Sequence, residues 1–201
     1  MNTYQGTGAR VEVVTAMFVA SGIPEEAREL GRFLEALNNP AGARQIALAD
    51  AAVRPLYRAA EQTPLGATML VRRDEIIFAN FDGPFLSRPA VRPTMSRTPV
   101  LLLAPPFQIS GAIEMAPGAD PMATLRLLTN AFFLVRDASV FDADGNLLGE
   151  GDEIVVNGAA VQLAAPTRAR IAVAAMTTPR THQSEAPDIE AESRLIAARA
   201  A

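Results

Sequence analysis

Cysteine is absent from the 201 residues, which removes disulfides, thiolate nucleophiles and cysteine-ligated metals from consideration. Histidine is scarce: His182 stands alone in a polar stretch, so Ser-His-Asp catalysis and histidine-ligated zinc or iron lack the imidazoles they need. There is no tryptophan and aromatics make up 5%, too few for the stacking platforms that hold single-stranded nucleic acid. Lysine is missing too, all 18 basic residues being arginine, and the net charge of −4 lacks the footprint of a polyanion binder. No apolar run approaches the roughly 20 residues of a membrane helix. Residues Met1–Arg10 are polar, without the basic-then-apolar layout of a signal peptide, so a cytoplasmic protein without cofactors is expected.

What is present is a hydrophobic content of 49%, enough to bury two modest cores or one fused core. The chain also repeats itself. Val11–Val14 and Phe18-Val19-Ala20-Ser21-Gly22 match Val100–Leu103 and Phe107-Gln108-Ile109-Ser110-Gly111 at an offset of 89. Ile46–Val53 matches Phe133–Val140 at 87, with Asp50-Ala51 against Asp137-Ala138, and Met69–Val71 with Ile76–Ala79 matches Ile154–Val156 with Val161–Ala164 at 85. A drift of four residues needs only short loop changes.

Apolar alternation rich in Val, Ile and Phe marks strands in these blocks. Ala27, Leu30, Leu34 and Leu37 fall on one helical face, with Pro24, Glu25 and Glu26 suited to a first turn and Asn38-Asn39-Pro40 to a stop. Met122, Leu125 and Leu128 after Pro121 make a shorter stripe. Each copy therefore reads strand, strand, helix, strand, strand. The expected fold is α+β and mainly β: two pseudo-symmetric, barrel-like repeats at 1–83 and 100–176, a linker at 84–99, and a polar tail at 177–201 ending in a short amphipathic helix. Ala169–Met176 alternates as a further strand would.

Phe18–Gly22, the helix motif Arg32-Phe33-Leu34-Glu35-Ala36-Leu37-Asn38 and the strand Ile46–Val53 resemble a small bacterial domain of uncharacterised function, with Arg126–Asn130 as a shortened counterpart in the second copy. The resemblance implies a compact β-rich fold and supplies no activity.

Four places invite a functional reading. Arg88, Arg92 and Arg97 lie among Pro89, Pro93 and Pro99 without an acid, forming either a cradle for an anionic ligand or a solvated connector, the second being favoured. Ile189, Leu195 and Ile196 give the tail helix an apolar side that could dock on a partner or another subunit. Asp142–Glu153 has oxygen ligands at calcium-loop spacing, but Leu147 stands where that loop needs glycine, and Asp144-Gly145 between apolar residues signals a hairpin instead. Asp74 and Glu75 fall where a hairpin turn would, and Asp50 and Asp137 suit a strand end or bulge. These residues suggest a non-enzymatic protein-binding or self-assembly module, with a small-barrel regulator of an anionic ligand or nucleic acid as the alternative.

Overall fold

Residues 10–25, 30–56, 62–82 and 95–167 are described by a computed structural model. Alternating apolar side chains set strands β1 (Arg10–Val14) and β2 (Phe18–Pro24), followed by helix α1 (Leu30–Asn38). Thr15 closes the β1–β2 turn, its Oγ1 accepting from the Phe18 amide at 3.1 Å and donating to the Phe18 carbonyl at 3.0 Å. Then come β3 (Gln45–Pro55), β4 (Thr63–Pro64), β5 (Met69–Arg72), a 3-10 turn at Arg73–Glu75 and β6 (Phe78–Asp82). The second half runs β7 (Ser96–Ala104), β8 (Phe107–Met115), α2 (Pro121–Leu128), β9 (Phe132–Phe141), β10 (Leu147–Asn157), a 3-10 turn at Gly158–Ala160 and β11 (Leu163–Pro166).

All pairings are antiparallel, in the order β11-β7-β8-β9-β10-β6-β1-β2-β3-β4, with β5 beside β3. In each half the last strand returns to the first, β6 to β1 and β11 to β7. The halves join where β10 meets β6, pairing Ile154 with Asn80, Val155 with Ala79 and Val156 with Phe78. The fold is thus mainly β with little helix. Among the described residues neither barrel-like repeat closes: the sheet is open, and β10 gives its outer edge to β6 rather than to β11.

Each half carries the same bulge. Pairing slips between Ser21 and Ile23 in one and between Ser110 and Ala112 in the other. On the strands opposite, Asp50 and Asp137 adopt φ of 47° and 48°, left-handed conformations that aspartate tolerates better than branched residues do. The glycines at the slips are forced by proximity. A Cβ on Gly22 would stand 2.8 Å from the Leu48 Cβ, and one on Gly111 would overlap the Val135 side chain and lie 2.8 Å from the Arg136 carbonyl.

Two cores form on the two sides of the shared strands. One gathers Val11, Val13, Phe33, Leu37, Leu48 and Val71; the other gathers Val100, Leu102, Ile109, Ile113, Leu125 and Val135. Because successive side chains point to opposite faces, β10 sends Val155 to the first core and Ile154 and Val156 to the second.

Several local expectations change. Pro24 ends β2, paired with Leu48, and the Glu25 amide bonds to the Ala47 carbonyl at 3.0 Å, so the proline serves a strand end and the helix starts later. Phe33 is a main buried anchor of α1, a residue outside the expected stripe. Asp74 and Glu75 belong to a 3-10 turn between strands that do not pair, since β5 adds to β3 and β6 to β1. Strand β7 begins at Ser96, within the expected linker. The expected strand at 169–176 and the tail helix lie outside the described residues.

Gly111→Ala should destabilise the protein by about 1–3 kcal/mol through overpacking. Gly149→Ala, with no atom within 4 Å of the added carbon, should be nearly neutral. Urea unfolding of both variants checks the contrast.

Candidate functional site

A cleft of about 560 Å³ opens where the halves meet. Val14, Val19, Phe78, Phe107, Val140 and Ile154 supply apolar lining from β1, β2, β6, β8, β9 and β10. The rings of Phe78 and Phe107 meet edge to face, centroids 5.1 Å apart, so each half contributes one ring to the pair.

Around this surface stand four carboxylates, Glu12, Asp142, Asp144 and Glu150, against one guanidinium, Arg54. Arg54 Nη2 lies 3.1 Å from Glu12 Oε1, both side chains about one-third exposed. The Ser139 hydroxyl donates to Glu150 Oε1 at 3.1 Å. Asp142 is set by the β9–β10 hairpin. Its Oδ1 accepts from the Asp144 amide at 2.9 Å and the Asn146 amide at 2.8 Å, and its Oδ2 accepts from Asn146 Nδ2 at 2.9 Å. Gly145, at φ 83°, supplies the turn geometry. The Asn146 side chain does most to lower the Asp142 pKa below its usual value; burial opposes it, and the amides of Asn146, Asp144 and Gly145 add to the lowering. In the loop first tested against calcium spacing, Asp142 therefore spends its oxygens on the turn itself. Leu147 begins the return strand.

The arginine candidates part company. Arg97 is a strand residue, with Nη1 3.3 Å from Asp137 Oδ2 and Nε 3.8 Å from Glu114 Oε1. It begins a row of alternating charge on four neighbouring strands: Glu114 on β8 lies 2.7 Å from Arg136 Nε on β9, and Arg136 pairs with the buried Glu153 of β10. Arg97 is thus already occupied by carboxylates. Arg88, Arg92, Ile189, Leu195 and Ile196 lie outside the described residues. Among the described residues, no group of three or more His, Cys, Asp and Glu side chains is disposed to hold a metal ion, and no helix is long and apolar enough to cross a membrane.

Of the cleft residues, two groups carry a signal in the sequence: the acidic turn, and Arg54 and Leu56 at the start of the segment in which the two copies differ most. Glu12 joins them in the cleft lining through the β10·β6 junction, between segments more than seventy residues apart, which leaves no short-range pattern. Comparison with protein-family models, curated proteins and solved structures finds no match.

Two outcomes are expected. Arg136→Met should cost about 3–5 kcal/mol in urea unfolding, because it leaves Glu153 buried without its cation. Asp142 has a lowered folded pKa, so its contribution is complete above the usual aspartate range and is lost as pH falls through the folded value. Asp142→Asn should therefore melt lower than the parent at pH 7, and the gap should close as pH drops below about 3.9.

Proposed function

We propose that the protein is a non-enzymatic binding module built by duplication of one small barrel-like β domain, and that its cleft holds a basic, partly apolar segment of a protein chain. Support for duplication comes from the shared element order, the matching bulges with Asp50 and Asp137 at positive φ, and the glycines opposite them. A barrel-like origin for each half is supported by the return of its last strand to its first.

One observation carries the ligand reading: apolar side chains lined by four carboxylates against a single arginine, with Asp144 and Glu150 lying outside the Glu12–Arg54 pair and the bonds of Asp142 to its own turn. Arginine and lysine side chains match this combination, burying their methylene stems along apolar surface while the charged head meets a carboxylate. The rim would also repel an anion. The alternative, an anionic ligand or nucleic acid at the arginine linker, loses Arg97 to Asp137 and Glu114. Nothing in the cleft favours it.

Fluorescence anisotropy with a labelled peptide alternating Arg and Leu tests the reading. Binding should weaken with salt, and Glu12→Gln and Glu150→Gln should each weaken it up to about fivefold, as partly exposed charge pairs do. Equal binding of a Glu-Leu peptide of the same length would sink it.

A further inference from the structure

The β10·β6 junction has a counterpart that the chain leaves unmade. Strands β10 and β5 hold the same place in their halves: each lies beyond the third long strand, β9 or β3, and each runs directly into a 3-10 turn. Strands β6 and β11 also correspond, each leaving that turn to pair with the first strand of its half, Ala79 opposite Val13 and Ala164 opposite Leu102. Each half therefore owns one edge of each kind. The junction consumes the β10 edge of the second half and the β6 edge of the first. The equivalents left over are β5 and β11, which have no strand on their outer sides among the described residues.

Their side chains fit this reading. Val155, at the centre of the junction, is 1% exposed, while its equivalent Leu70 is 60% exposed. Phe78 is 8% exposed, and its equivalent Leu163 is 48% exposed. The sheet thus carries at its two ends the complementary parts of a surface that it already joins in its middle.

We propose that copies of this chain associate head to tail, β5 of one copy pairing antiparallel with β11 of the next. Carrying the junction register across by the spacing of the halves sets Met69 opposite Ala165, Leu70 opposite Ala164 and Val71 opposite Leu163 of the next copy. The occupant is a second copy rather than a foreign strand because the internal junction already shows that an edge of the β5 kind accepts one of the β11 kind. Pro166, which lacks an amide hydrogen, falls one residue beyond the register, and exposed Arg72 flanks it on the other strand. Both confine pairing to the three central residues. The contact is heterologous, so each copy keeps one edge of each kind for a further neighbour. It is also separate from the cleft, and the two readings stand or fall independently.

The absence of native cysteine makes the register directly testable. In full-length protein, Leu70→Cys and Ala164→Cys together introduce the only thiols. Mild oxidation should give a ladder of cross-linked species on non-reducing gels, while an equal mixture of the two single variants should stop at a mixed dimer. Shifting one thiol out of register, as Arg72→Cys with Ala164→Cys, should lose most of the ladder. For the protein without cysteines, light scattering should give a molar mass that rises above the 21.3 kDa of one chain with concentration, and Leu70→Arg should return it to that value while leaving cleft affinity for the Arg-Leu peptide unchanged. The proposal is overturned by a mass of one chain at every concentration, or by a double variant whose thiols stay reduced or oxidise only within their own chain. A multimer whose mass ignores Leu70→Arg and whose in-register thiols stay reduced also refutes it, since assembly would then use another surface.

Discussion

Three residue pairs between β10 and β6 hold the two halves in one sheet, and the rest of the molecule is arranged around them. The junction makes β10 the outer strand of one half and a cover for the core of the other. Its Val155 is buried among residues of the first half while Ile154 and Val156 face the second. Two asparagines secure the seam. Asn157, buried, donates from its side-chain amide to the Ile76 carbonyl at 2.8 Å and accepts the Ala159 amide at 3.0 Å, and its own backbone amide bonds to the Ile77 carbonyl at 2.9 Å. Asn38, at the end of α1, exchanges two bonds of 2.8 Å with the backbone of Phe132 at the start of β9. Without Asn157 the Ile76 carbonyl would lose its partner in a buried place, where an unmade bond costs more than a made one returns, whereas the Asn38 bonds lie at the exposed surface.

The halves share a frame and differ in what they hang on it. In the first, Glu25 accepts from the Thr68 hydroxyl at 2.7 Å across the sheet. In the second, the corresponding positions are Glu114 and Glu153, with Arg136 between them. Removing one glutamate-hydroxyl contact leaves a small polar defect, whereas removing Arg136 leaves two carboxylates without their shared cation. The third strands also continue differently. β9 passes through the Asp142–Asn146 turn into a long β10, whereas the first half has only the short β4 and β5 in that place. Because this turn lies beside Glu12 and Arg54, the difference gives the cleft its acidic side.

Features encoded within ten or so residues were legible before the structure. Alternation and apolar runs marked β1, β2, β3, β7, β8 and β9; the Asp144-Gly145 pair marked the hairpin; the paired Asp50 and Asp137 suited a strand end or a bulge, and they stand opposite bulges. Where two local signals competed, the reading failed. Pro24 with two glutamates has the chemistry of a helix start, but its partner Leu48 and the Glu25 amide bond to Ala47 keep it extended. The turn at Asp74 and Glu75 looks like a hairpin because sequence does not state that β5 and β6 belong on opposite sides of their half. The seam was invisible for the same reason. Phe78–Asn80 and Ile154–Val156 are strands like several others, and their pairing joins segments more than seventy residues apart, which no local pattern encodes. The cleft inherits that invisibility, since its walls come from both halves.

A sheet built from two like halves joined edge to edge leaves edges unmet unless it closes, and among the described residues this one does not. An exposed edge is a hazard when it is long and flat, because any strand can add to it. Here the ends are short, and one is bordered by a proline and the other by an arginine. Those borders oppose indiscriminate pairing while leaving Leu70 and Leu163 uncovered. Solubility alone would favour polar residues at both places. Two leucines at the positions of the two halves where the internal seam buries Val155 and Phe78 make more physical sense as the unmet parts of one interface than as two separate surface accidents.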